Sequence, residues 1–430
     1  MDALKFRWVI LGLGIAANLT QGISYSGSVI AQPLLEMVGI YGETEIRAHW
    51  ATLFSLGILF LPLGMIIAGW LSDTRGPRVP IALGTVIFVS GLLLASIATP
   101  YNGGYVFLCI TFGLMTSLGT GMAYGPIIAT AVRWFPERRG LASGLVVGAL
   151  GFGPVWIAPS FSIMLENGFA VSTILQCLGV VALIAMGAAA LFITSPPSAI
   201  QGAVQGAVKP DVPKLDTPKS EVQQTEAQQN PAPPTAAREL YWTRMIRTTD
   251  FWILFLFFVL GTMPGLMLLS QAQEIVTRLG GFDAVTAAFL VAVLAVANAT
   301  GRVLWGAISD YLGRINTLTV MFILSAIAMF TLPFAANPIM LIAVILVIGT
   351  TFGGNLGLFP SFCADSFGLK NVSLNYAILV IAFATSAFIS PRIYASLADP
   401  QHAFFIAASL ALLGAIGTVI YRVRRVNKPR

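Results

Sequence analysis

Apolar stretches long enough to cross a lipid bilayer recur along almost the whole of this 430-residue chain, and no other feature narrows its fold as far. A spanning helix needs about 17–25 mostly apolar residues. Twelve such stretches can be marked, at 8–33, 48–71, 79–98, 104–132, 140–164, 169–194, 251–273, 284–309, 316–335, 339–362, 373–395 and 401–421. Only 10% of the residues are charged, against about 25% in a soluble globule. The expected fold class is an all-α membrane protein of twelve transmembrane helices.

The array breaks once. Residues 195–247 are rich in Pro, Gln, Ala, Lys and Glu and cannot bury a core. The chain therefore divides into an N-terminal six-helix bundle (1–194), a cytoplasmic linker (195–247) and a C-terminal six-helix bundle (248–430). The linker is expected to be largely disordered, with a surface helix near its end at about 238–247. With both termini cytoplasmic, Arg47, Arg278 and Arg392 fall outside and nearly all other Lys and Arg fall inside, as the positive-inside rule requires. The net charge of +6 is then loop bias, with no nucleic-acid partner implied. The three cysteines, Cys109, Cys177 and Cys363, lie in or beside apolar segments without metal spacing and are expected to be packing residues.

The two halves share a motif. After the second span comes Gly69-Trp-Leu-Ser-Asp73-Thr-Arg75-Gly76-Pro-Arg78, and after the eighth comes Gly306-Ala-Ile-Ser-Asp310-Tyr-Leu-Gly313-Arg314. Internal repeats of this kind are common in secondary transporters. An Asp at a helix end can accept hydrogen bonds from the start of a neighbouring helix. Gly permits close helix approach, and Arg can pair with a carboxylate when the halves close. Asp73, Arg75, Arg78, Asp310 and Arg314 are therefore expected to form a cytoplasmic gate.

Of the 24 Lys and Arg, 23 lie outside the apolar segments or at their ends, and one lies well inside: Arg302, in the eighth. A charged residue there costs roughly 2.5–3.5 kcal/mol at mid-membrane, and Arg cannot shed its proton. No Asp or Glu falls in the middle of any apolar segment to meet it. The expected partner is the substrate, a small organic anion gripped bidentately. Arg302 precedes Asp310 by eight residues, roughly 12 Å along the helix. In a core about 30 Å thick it sits slightly to the cytoplasmic side of the midplane. Asn298 lies one turn earlier on the same face. Tyr25 sits in a first span weakened by glycines, and Tyr124 in the fourth.

Twelve spans, a central linker and the duplicated motif resemble the major facilitator superfamily, over essentially all of the chain outside the linker. The run Tyr124-Gly-Pro … Arg133-Trp-Phe-Pro-Glu-Arg-Arg139-Gly-Leu-Ala-Ser-Gly144 is similar to spans four and five of the oxalate:formate antiporter family. So is Leu358-Phe-Pro-Ser … Phe367-Gly … Asn375-Tyr376, around spans ten and eleven. Monocarboxylate transporters share the relationship and also carry an Arg in span eight. The resemblance implies two pseudo-symmetric six-helix bundles, a multi-pass protein of the plasma (inner) membrane, usually monomeric, with Arg302 on the substrate carboxylate. Tyr25 and Tyr124 match site-lining tyrosines. Several animal monocarboxylate transporters have an Asp at the position of Asn298, thought to help proton coupling; Asn cannot titrate. His49, Glu274 and Asp283, near the outer mouth, are the other candidates for a proton.

Departures from the antiporter pattern sharpen the expectation. Phe352 stands for a Trp, Leu356 and Leu150 for tyrosines, and Phe383 for a Lys that gives the antiporter a second positive charge. One cation and an apolar rim suit a monocarboxylate such as lactate or pyruvate, moved by alternating access with protons. An organic-anion exchanger of the oxalate:formate type is the alternative. No P-loop, nucleophile–base set or metal cluster stands out, so ATP-driven transport, an enzyme, a cofactor and a metal are not expected. A receptor that binds the anion without moving it would lack a reason for the duplicated gate.

Overall fold

The computed structural model describes residues 3–197, 239–270, 284–335, 337–397 and 400–426, and among them there are helices and no strands. The twelve apolar stretches become twelve spans. The first, α1, is broken: Ala3–Thr20 and Gly27–Glu36 are joined by a 3₁₀ turn, Gln21–Ser26. Then follow α2 (Glu43–Arg75), α3 (Arg78–Ala95), α4 (Gly104–Trp134), α5 (Arg139–Glu166) and α6 (Val171–Phe192). The second half holds α7 (Thr249–Ser270), α8 (Ala284–Leu312), α9 (Arg314–Phe334) and α10 (Pro338–Phe367). It ends with α11, in two pieces (Val372–Leu379 and Ile381–Ser396), and α12 (Pro400–Val426).

Ten helices among the described residues are long and apolar enough to cross a membrane by length and composition. The expected spans 1 and 8 fall outside that count: α1 is divided by its 3₁₀ turn, and the first side chains of α8 lie outside the described ones. Several helices overrun the apolar stretches, α2 by five residues at its start and four at its end. Backbone hydrogen bonding carries a helix through polar ends that hydropathy cannot follow.

Most of the expected linker, with Glu274 and Asp283, lies outside the described residues. The described part of the expected surface helix is a single turn, Trp242–Met245. Just before it, Glu239 and Leu240 bind the α10–α11 turn. Glu239 accepts from the N–H groups of Leu369 and Lys370 at 3.3 and 2.7 Å. The Leu240 carbonyl accepts from Asn375 Nδ2 at 2.9 Å.

Within each half, α2 or α8 ends on the repeated motif, and the next glycine takes a positive φ, 84° at Gly76 and 81° at Gly313. That conformation is cheap for Gly and strained for other residues. It reverses the chain into α3 and α9. The end of the molecule carrying both motifs is called the motif end below, and the opposite one the far end.

Candidate functional site

Arg302 is 3% exposed in the middle of the molecule. Its Nε donates to Asn298 Oδ1 at 3.0 Å, one turn back on α8. Its Nη1 donates across the bundle boundary to the Val147 carbonyl of α5 at 2.9 Å. Both acceptors are neutral, so the positive charge is solvated without being cancelled. Nη2 has no hydrogen bond among the described residues. Glycines make this geometry possible. A β-carbon on Gly151 would lie 3.1 Å from Arg302 Cζ and 3.3 Å from Nη1. Gly144 of α5 and Gly357 of α10 abut the Arg302 carbonyl, and Gly353 abuts that of Asn298. Small residues let helix backbones approach without a side chain between them.

Toward the far end is a cavity of about 60 Å³ that Arg302 does not itself line; its wall reaches Leu150, the neighbour of the Gly151 that packs on the guanidinium. That is room for about five waters at roughly 10–15 Å³ each. Its wall includes Gln21, Trp50, Ser117, Thr120, Leu150 and Phe383, and carries no acidic or basic side chain. Three helix irregularities converge on it. Gln21 opens the 3₁₀ turn of α1, Phe112 lies in a π-helical segment of α4 (Cys109–Met115), and Phe383 follows the break in α11. Such interruptions recur at functional sites in helices.

At the motif end the two aspartates do the same thing in opposite directions. Asp73 Oδ2 accepts from the Leu374 N–H at the start of α11, at 3.1 Å. Asp310 accepts from the Gly140 and Leu141 N–H groups at the start of α5, both at 2.8 Å. A carboxylate is favoured at a helix start by the free N–H groups and the helix dipole. Motif glycines let the backbones meet: a β-carbon on Gly69 would lie 2.7 Å from Leu374 Cα, and one on Gly306 would collide with the Gly140 carbonyl. Around these contacts runs an ionic network. Arg133 pairs with Asp73 at 2.8 Å and donates to the Leu369 and Lys370 carbonyls. Arg314 pairs with Asp310 and with Asp365, each at 2.8 Å, and Asp365 also pairs with Arg139 at 2.6 Å. Ser143 donates to the Gly357 carbonyl at 2.8 Å. These bonds between the bundles lie at the level of Arg302 or closer to the motif end.

The residues expected from sequence are thus distributed unevenly. Arg302 and Asn298 touch each other; Leu150 and Phe383 line the cavity. Phe352 stacks on Phe383, ring centroids 6.5 Å apart. Tyr124 is buried, and Leu356 is half-buried against the core. Tyr25 lies in the 3₁₀ turn, with its side chain outside the described ones. His49 is half-buried at the far end, its Nδ1 3.5 Å from a Glu45 carboxylate oxygen and its ring edge-on to Tyr105. Asp73 and Asp310 meet partners across the closure, while Arg314 pairs with Asp310 and Asp365 of its own half. Arg75 and Arg78 are exposed and make no ion pair among the described residues. The cation beside Asp73 is instead Arg133, and the ion pair that crosses between the bundles is Arg139–Asp365. Tyr376 was also missed; it is 3% exposed and within electrostatic reach of Arg302 and Tyr124. Its presence in a quoted motif was the available signal.

Two six-helix bundles, closed on one side by a duplicated contact and holding one buried cation at mid-depth, define a multi-pass membrane transporter. The chain belongs to the Major Facilitator Superfamily, whose profile matches residues 15–391 and 281–430. It is 26% identical over 429 residues to the oxalate:formate antiporter of Oxalobacter formigenes, covering 98% of this chain and 93% of that one. It is 24% identical over 417 residues to monocarboxylate transporter 13 of Bos taurus, covering 96% and 88%. Among solved structures, the proton:xylose symporter XylE superposes with a TM-score of 0.64 at 14% identity, covering 96% of this chain and 95% of that one.

Proposed function

We propose that this protein is a secondary active transporter that moves a small monocarboxylate, lactate- or pyruvate-like, with protons by alternating access. The observation that carries the reading is the pairing of Arg302. It is buried, its hydrogen bonds among the described residues go to neutral oxygens, and Nη2 has no hydrogen bond among them. A buried uncancelled cation is costly, and a carboxylate arriving from the adjoining cavity relieves that cost through a charge-assisted hydrogen bond. The cavity adds no second cation, which favours one carboxylate over two. The oxalate:formate antiporter and monocarboxylate transporter 13 agree with an organic-anion substrate.

In this reading the motif ends face the cytoplasm and form its gate, and both termini are cytoplasmic. The Asp73 and Asp310 contacts must part for substrate release on that side. The protein acts as a carrier and not as an enzyme. With no titratable side chain on the described cavity wall, the proton enters on the carboxylate itself or through the far-end pair His49–Glu45.

The test is uptake of labelled L-lactate into proteoliposomes, with and without an inward proton gradient, for wild type and Arg302→Lys. Gradient-stimulated uptake should be lost in the mutant, since Lys lacks the bidentate fork. A mutant that transports as well as wild type removes Arg302 from the site. The second reading, an exchanger of the oxalate:formate type, is favoured by the 26% identity that runs over 98% of the chain. It predicts uptake only into vesicles preloaded with another anion.

A further inference from the structure

Gln21 is 2% exposed on the cavity wall, and its Oε1 is buried without a hydrogen-bond partner. The orientation of its amide is fixed by a chain of bonds. Asn18 Nδ2 donates to the Val146 carbonyl at 2.8 Å. A carbonyl can only accept, so the other end of Asn18 must be its oxygen. That oxygen accepts from Gln21 Nε2 at 3.1 Å, and the Ala17 carbonyl accepts from the same nitrogen at 3.2 Å. Gln21 Oε1 is therefore a committed acceptor, and flipping the amide would set oxygen against two oxygens. A buried acceptor left unmatched is destabilising, and a native structure that keeps one invites a reason.

Its position supplies the reason. Asn18 binds the Val146 carbonyl and Arg302 that of Val147; one turn further, Gly22 packs on Leu150 and Gly153 while Gly151 packs on the Arg302 guanidinium, so Gln21 and Arg302 both lie against the 147–153 stretch of α5. Leu150, one turn on, faces the cavity. Ser117 and Thr120 also reach the cavity wall, but hydroxyls either donate or accept and so do not discriminate. Gln21 does. We propose that Gln21 sets the substrate class, its Oε1 accepting the hydroxyl of a 2-hydroxy monocarboxylate whose carboxylate is held by Arg302. A keto oxygen at that place would meet the amide oxygen with no proton between them, and an alkyl group would leave it unmatched. This rests on the monocarboxylate reading above and deepens it.

The test compares three three-carbon acids with one carboxylate each. Titration calorimetry on the purified full-length protein gives affinities for L-lactate, propionate and pyruvate, in wild type and Gln21→Met. One hydrogen bond to a neutral acceptor corresponds to roughly tenfold. Lactate should bind wild type about tenfold more tightly than propionate or pyruvate, and the ratio should fall to about one in Gln21→Met. A purely structural role for Gln21 would weaken all three acids together and leave the ratio standing. Equal affinities in wild type overturn the inference even if the mutant does not fold, and so does a lactate preference that survives Gln21→Met. If none of the three acids binds wild type, the monocarboxylate reading fails and this inference falls with it.

Discussion

At the scale of single residues, the site depends on what is missing beside Arg302. Gly151 leaves room for the guanidinium to lie against α5 and reach the Val147 carbonyl. Gly151→Ala puts a methyl group 3.1 Å from Cζ, closer than real β-carbon contacts usually come, so the guanidinium must move. The expected outcome is a protein that still folds and a KM for lactate uptake raised about tenfold, equivalent to about 1.4 kcal/mol. An unchanged KM would mean that the guanidinium position seen here is not the one that binds. Asn298→Asp would set a carboxylate 3.0 Å from Nε. It should compete with the substrate for the cation and weaken lactate binding at neutral pH, which calorimetry can read. Arg302 was legible in the sequence because a lone charge in an apolar span has no cheap explanation. Gln21 could not be ranked among the other buried amides. Its meaning lies in the bond from Asn18 to a carbonyl on another helix, 128 residues away.

At the scale of helices, the closure is a set of end contacts. Arg133 and Asp73 are a buried pair, with side chains 8% and 5% exposed. Breaking such a pair by removing one charge typically costs about 3–5 kcal/mol. Asp73→Asn keeps the shape but leaves Arg133 without its counter-charge, so the motif end should open more often. Cys363, fully buried at the motif end of α10, reports on this once Cys109 and Cys177 are replaced by Ser. Maleimide labelling of Cys363 should be slow in the parent and several-fold faster with Asp73→Asn; equal rates would rule out a latch. Glu239→Ala, which frees the Leu369 and Lys370 N–H groups, should accelerate labelling less, since the pair beneath it stays intact. The motif aspartates were readable from their repeated spacing. Arg133 and Asp365 were not, because Arg133 reaches the Leu369 and Lys370 carbonyls, and Asp365 reaches Arg139, across a bundle boundary that no local pattern encodes. The irregularities of α1, α4 and α11 escaped for a related reason: hydropathy averages over a turn and registers no change of one residue in helical pitch.

At the scale of the whole molecule, spans and halves followed from hydropathy and from the repeat, since both are properties of composition along the chain. Which side is closed did not, because it depends on contacts between the halves. The structure extends the repeat. Gly64-Met-Ile-Ile-Ala-Gly69-Trp-Leu-Ser-Asp73 aligns with Gly301-Arg-Val-Leu-Trp-Gly306-Ala-Ile-Ser-Asp310. Gly64 packs on a carbonyl of α4 and Gly301 on one of α10, the equivalent helix of its own half. The position matching Arg302 is Met65, wholly buried. Met65→Arg should therefore introduce a second buried cation at mid-depth, with no neutral acceptors arranged for it, and lower the melting temperature without adding a second anion site. Calorimetric stoichiometry would check the latter. The reciprocal capping of α5 by Asp310 and of α11 by Asp73 has the form of an isologous interface, in which each partner offers the other the same surface. Such an interface needs one aspartate and one helix start per copy, which a six-span chain supplies when it pairs with its own twin. Fusion of two twins into one polypeptide keeps that dimer contact as a hinge and releases one copy to carry an arginine the other never needed.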